Sequence, residues 1–140
     1  MNRRERTKIL IAGSPRLANQ LTTEIELAYA VKIIEKPNHG LVMLKLRENA
    51  KRSLFYLGEV IVAEAKVEIH GQLGLGIVAG TNEELAYQLA VIDAAYNAGL
   101  PETASWSEKL QAEQQCIQEQ LNNHNSKILK TKVSFETMDA

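Results

Sequence analysis

Closely spaced glycines form the most suggestive chemical pattern in the sequence. Gly74, Gly76 and Gly80, preceded by Gly71, have roughly the spacing of a dinucleotide-binding loop, in which backbone amides face a pyrophosphate. In that motif the glycine loop itself opens a helix, whereas here the strand-like residues 77–79 come before the next helix begins. The lysine and adjoining hydroxyl residue of a phosphate loop are also missing from this segment. We therefore interpret these glycines as turn and close-packing positions.

Acidic and histidine side chains offer a second candidate site. Glu68 and His70 share one face of a predicted strand, two residues apart, where a metal or acid–base site could begin. No third ligand is visible at a suitable spacing, so a solvated cross-strand pair is the favoured interpretation. The serines fall at predicted caps, turns or tails, and none lies in the Gly-x-Ser-x-Gly pattern of an activated nucleophile. We predict no catalytic residue, no metal site and no cofactor-binding residue in this chain.

Asp93 is a carboxylate inside an apolar, alanine-rich helical segment, residues 91–95. A buried charge at this position would need a partner. The favoured interpretation places Asp93 at the rim of the buried stripe, where it hydrogen-bonds a neighbouring loop. A role at a protein interface is the second alternative and catalysis the third.

These residues are positioned by helices and strands whose order predicts a single α+β domain over residues 1–140. The domain is built on an antiparallel sheet. Two short helices come first, one of about 4–12 and one that Ser14 caps with Pro15 in its first turn. Period-two alternation then predicts four strands in two hairpins, at about 27–36, 42–47, 55–70 and 73–79. Pro37–Gly40 is the predicted turn of the first hairpin, and Gly71-Gln72 the type II′ turn of the second.

Two C-terminal helices and a short terminal strand complete the prediction. A capping-box pattern at Thr81–Glu84 begins the first helix, and Gly99 and Pro101 end it. The last helix starts near Ser105 and has a thin apolar stripe on a polar surface. We interpret residues 122–126 as a linker and residues 133–135 as the terminal strand.

Composition and charge exclude several classes of function. The 140 residues include 16 basic and 17 acidic side chains, so the chain has no strong field to attract nucleic acid or an anionic membrane. The N-terminal apolar run Ile9–Ala12 is too short for a signal sequence or a membrane span. The single cysteine, Cys116, requires no oxidising compartment. We expect a cytoplasmic protein.

The order and spacing of several segments resemble those of the PhnG family, across nearly the whole chain. The segments are Leu57–Val60, the glycine-containing stretch 71–80, the helical Ile92–Ala94, and the Val-x-Phe-x-x-Met sequence of 133–138. The residues taken as partner-interface or structural candidates are Gly58, Glu59, Asp93, Trp106, Phe135 and Met138.

The resemblance implies a subunit of the carbon–phosphorus lyase core complex in phosphonate catabolism. That complex transfers ribose 5-triphosphate from ATP to an alkylphosphonate and releases adenine. A PhnI-type subunit is the most direct partner implied, and PhnH- and PhnJ-type subunits complete the core. The implied nucleosidase-type chemistry belongs to the PhnI-type subunit. The iron–sulfur cluster and S-adenosylmethionine chemistry belong to the PhnJ-type subunit.

By the same resemblance, this chain supports a transferase complex, is not itself the catalyst, and has no cofactor of its own. One alternative is a stand-alone small-molecule-binding domain that uses the face around Glu64, Glu68 and His70. The other is a homo-oligomeric adaptor, held together by an exposed sheet edge or by the Trp106 stripe.

Overall fold

The computed structural model describes residues 2–47 and 54–139. For residues 44–47, 54–57 and 129–139 it describes the backbone and not the side chains. Within these ranges the chain forms four helices and one three-stranded antiparallel sheet in the order β1-β2-β3. The elements are α1 (Arg3–Ala12), α2 (Pro15–Ala28), β1 (Lys32–Arg47), β2 (Leu54–Ile69), β3 (Gln72–Ala79), α3 (Glu83–Asn97) and α4 (Glu102–Asp139). The α+β arrangement has helices before and after the strands, as the block of strands in the sequence indicated.

The prediction of four strands in two hairpins was wrong, because the first two predicted strands are one strand. Pro37–Gly40, the predicted turn, lies inside β1. β1 is an edge strand, and its register against β2 shifts between Ile33 and Glu35 and again between Glu35 and Asn38. Edge positions and bulges are the places where a sheet tolerates proline, because no ladder hydrogen bond is lost there. The turn-forming residues therefore bend β1 without reversing it.

The two-residue turn between β2 and β3 lies one position earlier than predicted. His70 and Gly71 have φ angles of 49° and 76°, and Ile69 pairs with Gln72. Positive φ at both central positions is the type I′ geometry, which matches the twist of the flanking strands. The predicted type II′ turn at Gly71-Gln72 is therefore wrong, although the strands that it was to join lie within one residue of their predicted bounds.

Helix caps account for most of the observed helix starts. Asn2 and Glu5 form a capping box at α1, and the Ser14 hydroxyl accepts a hydrogen bond from the N–H of Arg16 at α2. At α3 the cap is Asn82, whose side chain accepts from the N–H of Leu85, and not the predicted Thr81.

The predicted linker at 122–126 and terminal strand at 133–135 were also wrong. α4 continues through both segments to Asp139. No glycine or proline occurs after Pro101, so no helix-breaking residue interrupts this sequence.

The core lies between the sheet and the helices. α3 packs across β3 and β2 on one face of the sheet. The two glycines of β3 that point toward α3, Gly74 and Gly76, lie directly against the backbone of Ala86, Ala90 and Ala94, and a Cβ at either glycine would overlap these atoms. The interpretation of these glycines as close-packing positions is confirmed.

Candidate functional site

The carboxylate of Asp93 lies where α1, α3 and the edge strand β3 meet. Its Oδ1 accepts from Nε of Arg3 at 3.0 Å and from Nη2 of Arg6 at 3.2 Å. Its Oδ2 accepts from the backbone N–H of Leu75 at 3.0 Å. Asp93 is only 6% exposed. Both carboxylate oxygens are engaged, so this side chain ties three elements together.

Arg6 is the buried cation of this cluster. Its guanidinium carbon lies 3.8 Å from the centroid of the Tyr96 ring, and Arg6 is 8% exposed. Burial lowers the pKa of the Arg6 guanidinium, although Tyr96 and Asp93 oppose the shift. Burial also raises the pKa of the Tyr96 hydroxyl. The Tyr96 ring in turn meets Trp106 edge to face, with centroids 5.6 Å apart.

The sequence interpretation of Asp93 missed both arginines. We predicted that Asp93 would hydrogen-bond a neighbouring loop, whereas its partners belong to α1 and to β3. A usable signal for Arg6 was present, because Arg6, Ile9 and Leu10 fall at i, i+3 and i+4 and form the buried face of α1. A charged residue on that face indicates a buried ion pair.

An open cleft of about 660 Å³ separates α1 from β3 beside this cluster. Arg4, Lys8 and Ile11 line its α1 wall, Leu75 and Ile77 line its β3 wall, and further lining comes from Arg3, Thr7, Ala12, Gly76 and Leu89. The cleft therefore combines basic side chains with an apolar lining. Neither Arg4 nor Lys8 was singled out in the sequence.

A two-stranded arm extends beyond the end of β3. We define the arm as residues 41–47 of β1 and 54–61 of β2, because the pairing of β3 with β2 stops at Val62. Apolar side chains on this arm are exposed, with Leu41 at 64%, Met43 at 54%, Ile61 at 49% and Val42 at 44%. The arm is thus an apolar surface that the body of the domain does not cover.

The candidate residues Gly58 and Glu59 lie together on this arm. Gly58 has a φ of +156°, at the register shift that follows its pairing with Leu44, and this backbone conformation favours glycine. Glu59 is exposed and pairs with Met43. Both residues are therefore separate from the Asp93 cluster.

The other candidates lie in the helices. Trp106 is fully buried, and its Nε1 donates to Oε2 of Glu24 at 3.1 Å. Phe135 and Met138 belong to the helical backbone of α4, and their side chains are outside the described part of the structure.

The Glu64, Glu68 and His70 face does not assemble a shared site. His70 occupies the β2–β3 turn, and its ring meets that of Tyr29 edge to face at 5.1 Å. In the part of the chain that the structure describes, no group of three or more His, Cys, Asp or Glu side chains is arranged to hold a metal ion. Among the same residues, no helix is both long and apolar enough to cross a membrane.

Comparison with known proteins identifies the family. A family model described as "Phosphonate metabolism protein PhnG" matches residues 1–139. A search of curated proteins finds no match. Because the family model covers the helices, the sheet, the Asp93 cluster and the arm, the chain belongs to the PhnG family and takes part in phosphonate metabolism.

Proposed function

We propose that this chain is a supporting subunit of the carbon–phosphorus lyase core complex and that it docks on a PhnI-type subunit through the two-stranded arm. The complex transfers ribose 5-triphosphate from ATP to an alkylphosphonate with release of adenine. Membership of the PhnG family supports the metabolic context. The exposed apolar arm is the observation that carries the docking role.

The physical argument for docking rests on stability. A two-stranded ribbon is marginal in water unless it packs against something else. Leu41, Met43 and Ile61 are each about half exposed or more. Covering the remaining exposed area of such side chains contributes roughly 1 kcal/mol each, since full burial of one is worth about 1.5–3 kcal/mol. A partner that covers the arm would therefore stabilise both the arm and the complex.

We take the division of chemistry from what the resemblance to the PhnG family implies. The PhnI-type subunit performs the displacement of adenine, and a PhnJ-type subunit carries the iron–sulfur cluster. A PhnH-type subunit completes the core. This chain contributes a docking surface, needs no cofactor of its own, and shows transferase activity only within the cytoplasmic complex.

Co-expression with a PhnI-type subunit tests the proposal. The two chains should co-elute on size exclusion, and the double variant Leu41→Glu/Ile61→Glu should lose co-elution because it places charges on the arm. Leu27→Glu is the matched control, because Leu27 is 84% exposed and lies on α2, outside the arm. Adenine release from ATP and methylphosphonate should require the assembled complex.

Three results would contradict this proposal. The first is co-elution that survives the arm variant, and the second is an equal loss of co-elution in the Leu27→Glu control. The third is adenine release by the isolated chain. A dimer of the isolated chain that survives dilution and that the arm variant disrupts would instead support the homo-oligomeric adaptor, with a second copy covering the arm.

A further inference from the structure

Side chains of α3 occupy only part of the outer edge of β3. The N–H of Leu75 donates to Asp93, and the carbonyl of Leu73 accepts from Nδ2 of Asn97 at 2.7 Å. In an antiparallel strand, alternate residues direct both backbone groups to the same side. Leu73 and Leu75 therefore establish that Ile77 also points its N–H and C=O away from β2. Within the described ranges, no hydrogen bond engages these two groups of Ile77.

α1 lies beside this open part of the edge and does not close it. Arg4, Lys8 and Ile11 fall at i, i+4 and i+7, so they form one face of α1, and all three line the cleft. The opposite, buried face of α1 is held to the body by Arg6. The cleft thus has the free N–H and C=O of Ile77 on one side and a basic, partly apolar helix face on the other.

The charges in the cleft select the kind of occupant. Arg3 and Arg6 both pair with the single carboxylate of Asp93. Arg4 and Lys8 make no ion pair with any residue that the structure describes, and both are exposed. An occupant with carboxylates opposite α1 would therefore be attracted. On the other face of the sheet, the side chains of Leu75 and Ile77 are 37% and 44% exposed. Apolar side chains of an occupant would lie beside them.

We propose that this cleft binds an extended, acidic segment of a partner protein, which adds to β3 as a fourth strand. The main-chain groups of the segment pair with the outward N–H and C=O of Ile77. Its side chains alternate, with acidic residues toward Arg4 and Lys8 and apolar residues beside Leu75 and Ile77. Strand addition obtains affinity from main-chain hydrogen bonds and specificity from alternate side chains. This inference goes beyond the proposed function, because the cleft lies at β3 and does not involve the arm.

Short capped peptides test the inference on the isolated full chain. The probes are a peptide of alternating glutamate and valine, a matched peptide of alternating lysine and valine, and inorganic triphosphate. We expect the acidic peptide alone to shift the amide resonances of β3 and α1 in NMR titrations at millimolar concentration. The Ile77 amide should then exchange more slowly with solvent, because a new hydrogen bond protects it.

Two variants locate the binding. Ile77→Pro removes the outward N–H without removing a hydrogen bond to β2, and it should weaken the acidic peptide about tenfold, as expected for about 1.4 kcal/mol. Arg4→Glu/Lys8→Glu should abolish detectable binding and leaves the strand untouched. Arg16→Glu/Lys36→Glu changes the net charge equally at exposed positions outside the cleft, and it should bind as the unmodified chain does.

Several outcomes would overturn the inference. These are absence of binding by the acidic peptide, equal binding by the lysine peptide, and unchanged binding to Arg4→Glu/Lys8→Glu. Binding of triphosphate without binding of the peptide would assign the cleft to a small anion. Every variant used here leaves the arm intact. Co-elution with a PhnI-type subunit therefore tests the docking proposal separately, and either proposal can fail without the other.

Discussion

Substitution of Asp93 by asparagine gives the sharpest test of how this domain is held together. Asparagine has nearly the same shape and retains one oxygen that can accept from the N–H of Leu75. It removes the negative charge that faces the buried guanidinium of Arg6. We expect Asp93→Asn to destabilise the fold by leaving a buried cation without its counter-ion.

The magnitude follows from the two arginines, which differ in burial. The side chain of Arg3 is 58% exposed, so its ion pair with Asp93 contributes at most about 1 kcal/mol. The side chain of Arg6 is 9% exposed, and breaking a buried pair costs about 3–5 kcal/mol. The retained hydrogen bond to Leu75 and the contact of Arg6 with Tyr96 reduce this, so we expect about 2–3 kcal/mol. That is a large part of the roughly 5–15 kcal/mol by which a domain is stable.

Urea unfolding followed by circular dichroism measures this effect, with a double-mutant cycle to isolate the pair. Arg6→Met and Asp93→Asn should each destabilise, and the double variant should be less destabilised than their sum by about 1–3 kcal/mol. Arg3→Met is the matched control and should cost less than about 1 kcal/mol. The reasoning would be refuted if Asp93→Asn lowers the free energy of unfolding by less than about 0.5 kcal/mol. It would also be refuted if the effects of Arg6→Met and Asp93→Asn simply add in the double variant.

Two further predictions concern close packing and alkaline pH. Gly76→Ala should cost more than about 3 kcal/mol because the new Cβ overlaps the α3 backbone, whereas Gly40→Ala meets only ordinary contacts and should cost less than about 1 kcal/mol in the same urea assay. The Tyr29 hydroxyl donates to Glu102 at 2.9 Å, and this hydrogen bond raises the pKa of Tyr29. The hydrogen bond therefore stabilises the fold below pH about 10, and this stabilisation is lost as the pH rises through the raised pKa. Glu102→Gln should lower the pH at which one tyrosine ionises, as measured by ultraviolet absorbance. An unchanged tyrosine titration would contradict the second prediction, and equal destabilisation by the two glycine variants would contradict the first.

Local patterns in the sequence were sufficient for the starts of α1 and α2 and for the long β2 strand, whereas the cap of α3 is Asn82 and α4 begins at Glu102, three residues before the predicted start near Ser105. The alternation of Ala63, Ala65, Val67 and Ile69 with polar residues indicates which face of β2 is buried, and all four side chains are buried in the structure. Ile61 continues the same alternation and is nevertheless 49% exposed. The difference arises because β3 ends opposite Val62 and does not reach Ile61. Where a neighbouring strand ends is decided by the tertiary structure and not by the local alternation.

The errors at Pro37–Gly40 and at Asp93 have the same origin, since both required information from distant residues. Pro37–Gly40 has the composition of a turn, and only the pairing with β2 shows that the chain continues. Asp93 and Arg6 are 87 positions apart, so no local pattern could pair them. The burial of Arg6 was visible from helical periodicity, but its partner depends on how α1 docks against α3.

The Asp93 cluster also explains why β3 keeps an open edge. An edge strand invites unwanted pairing unless it is covered. Asp93 and Asn97 of α3 cover the part of β3 near Leu73 and Leu75. The same Asp93 carboxylate holds α1 through Arg6, and α1 then stands beside Ile77 without covering it. The open position is consequently flanked by a basic helix, which favours acidic strands over apolar ones and so limits non-specific pairing.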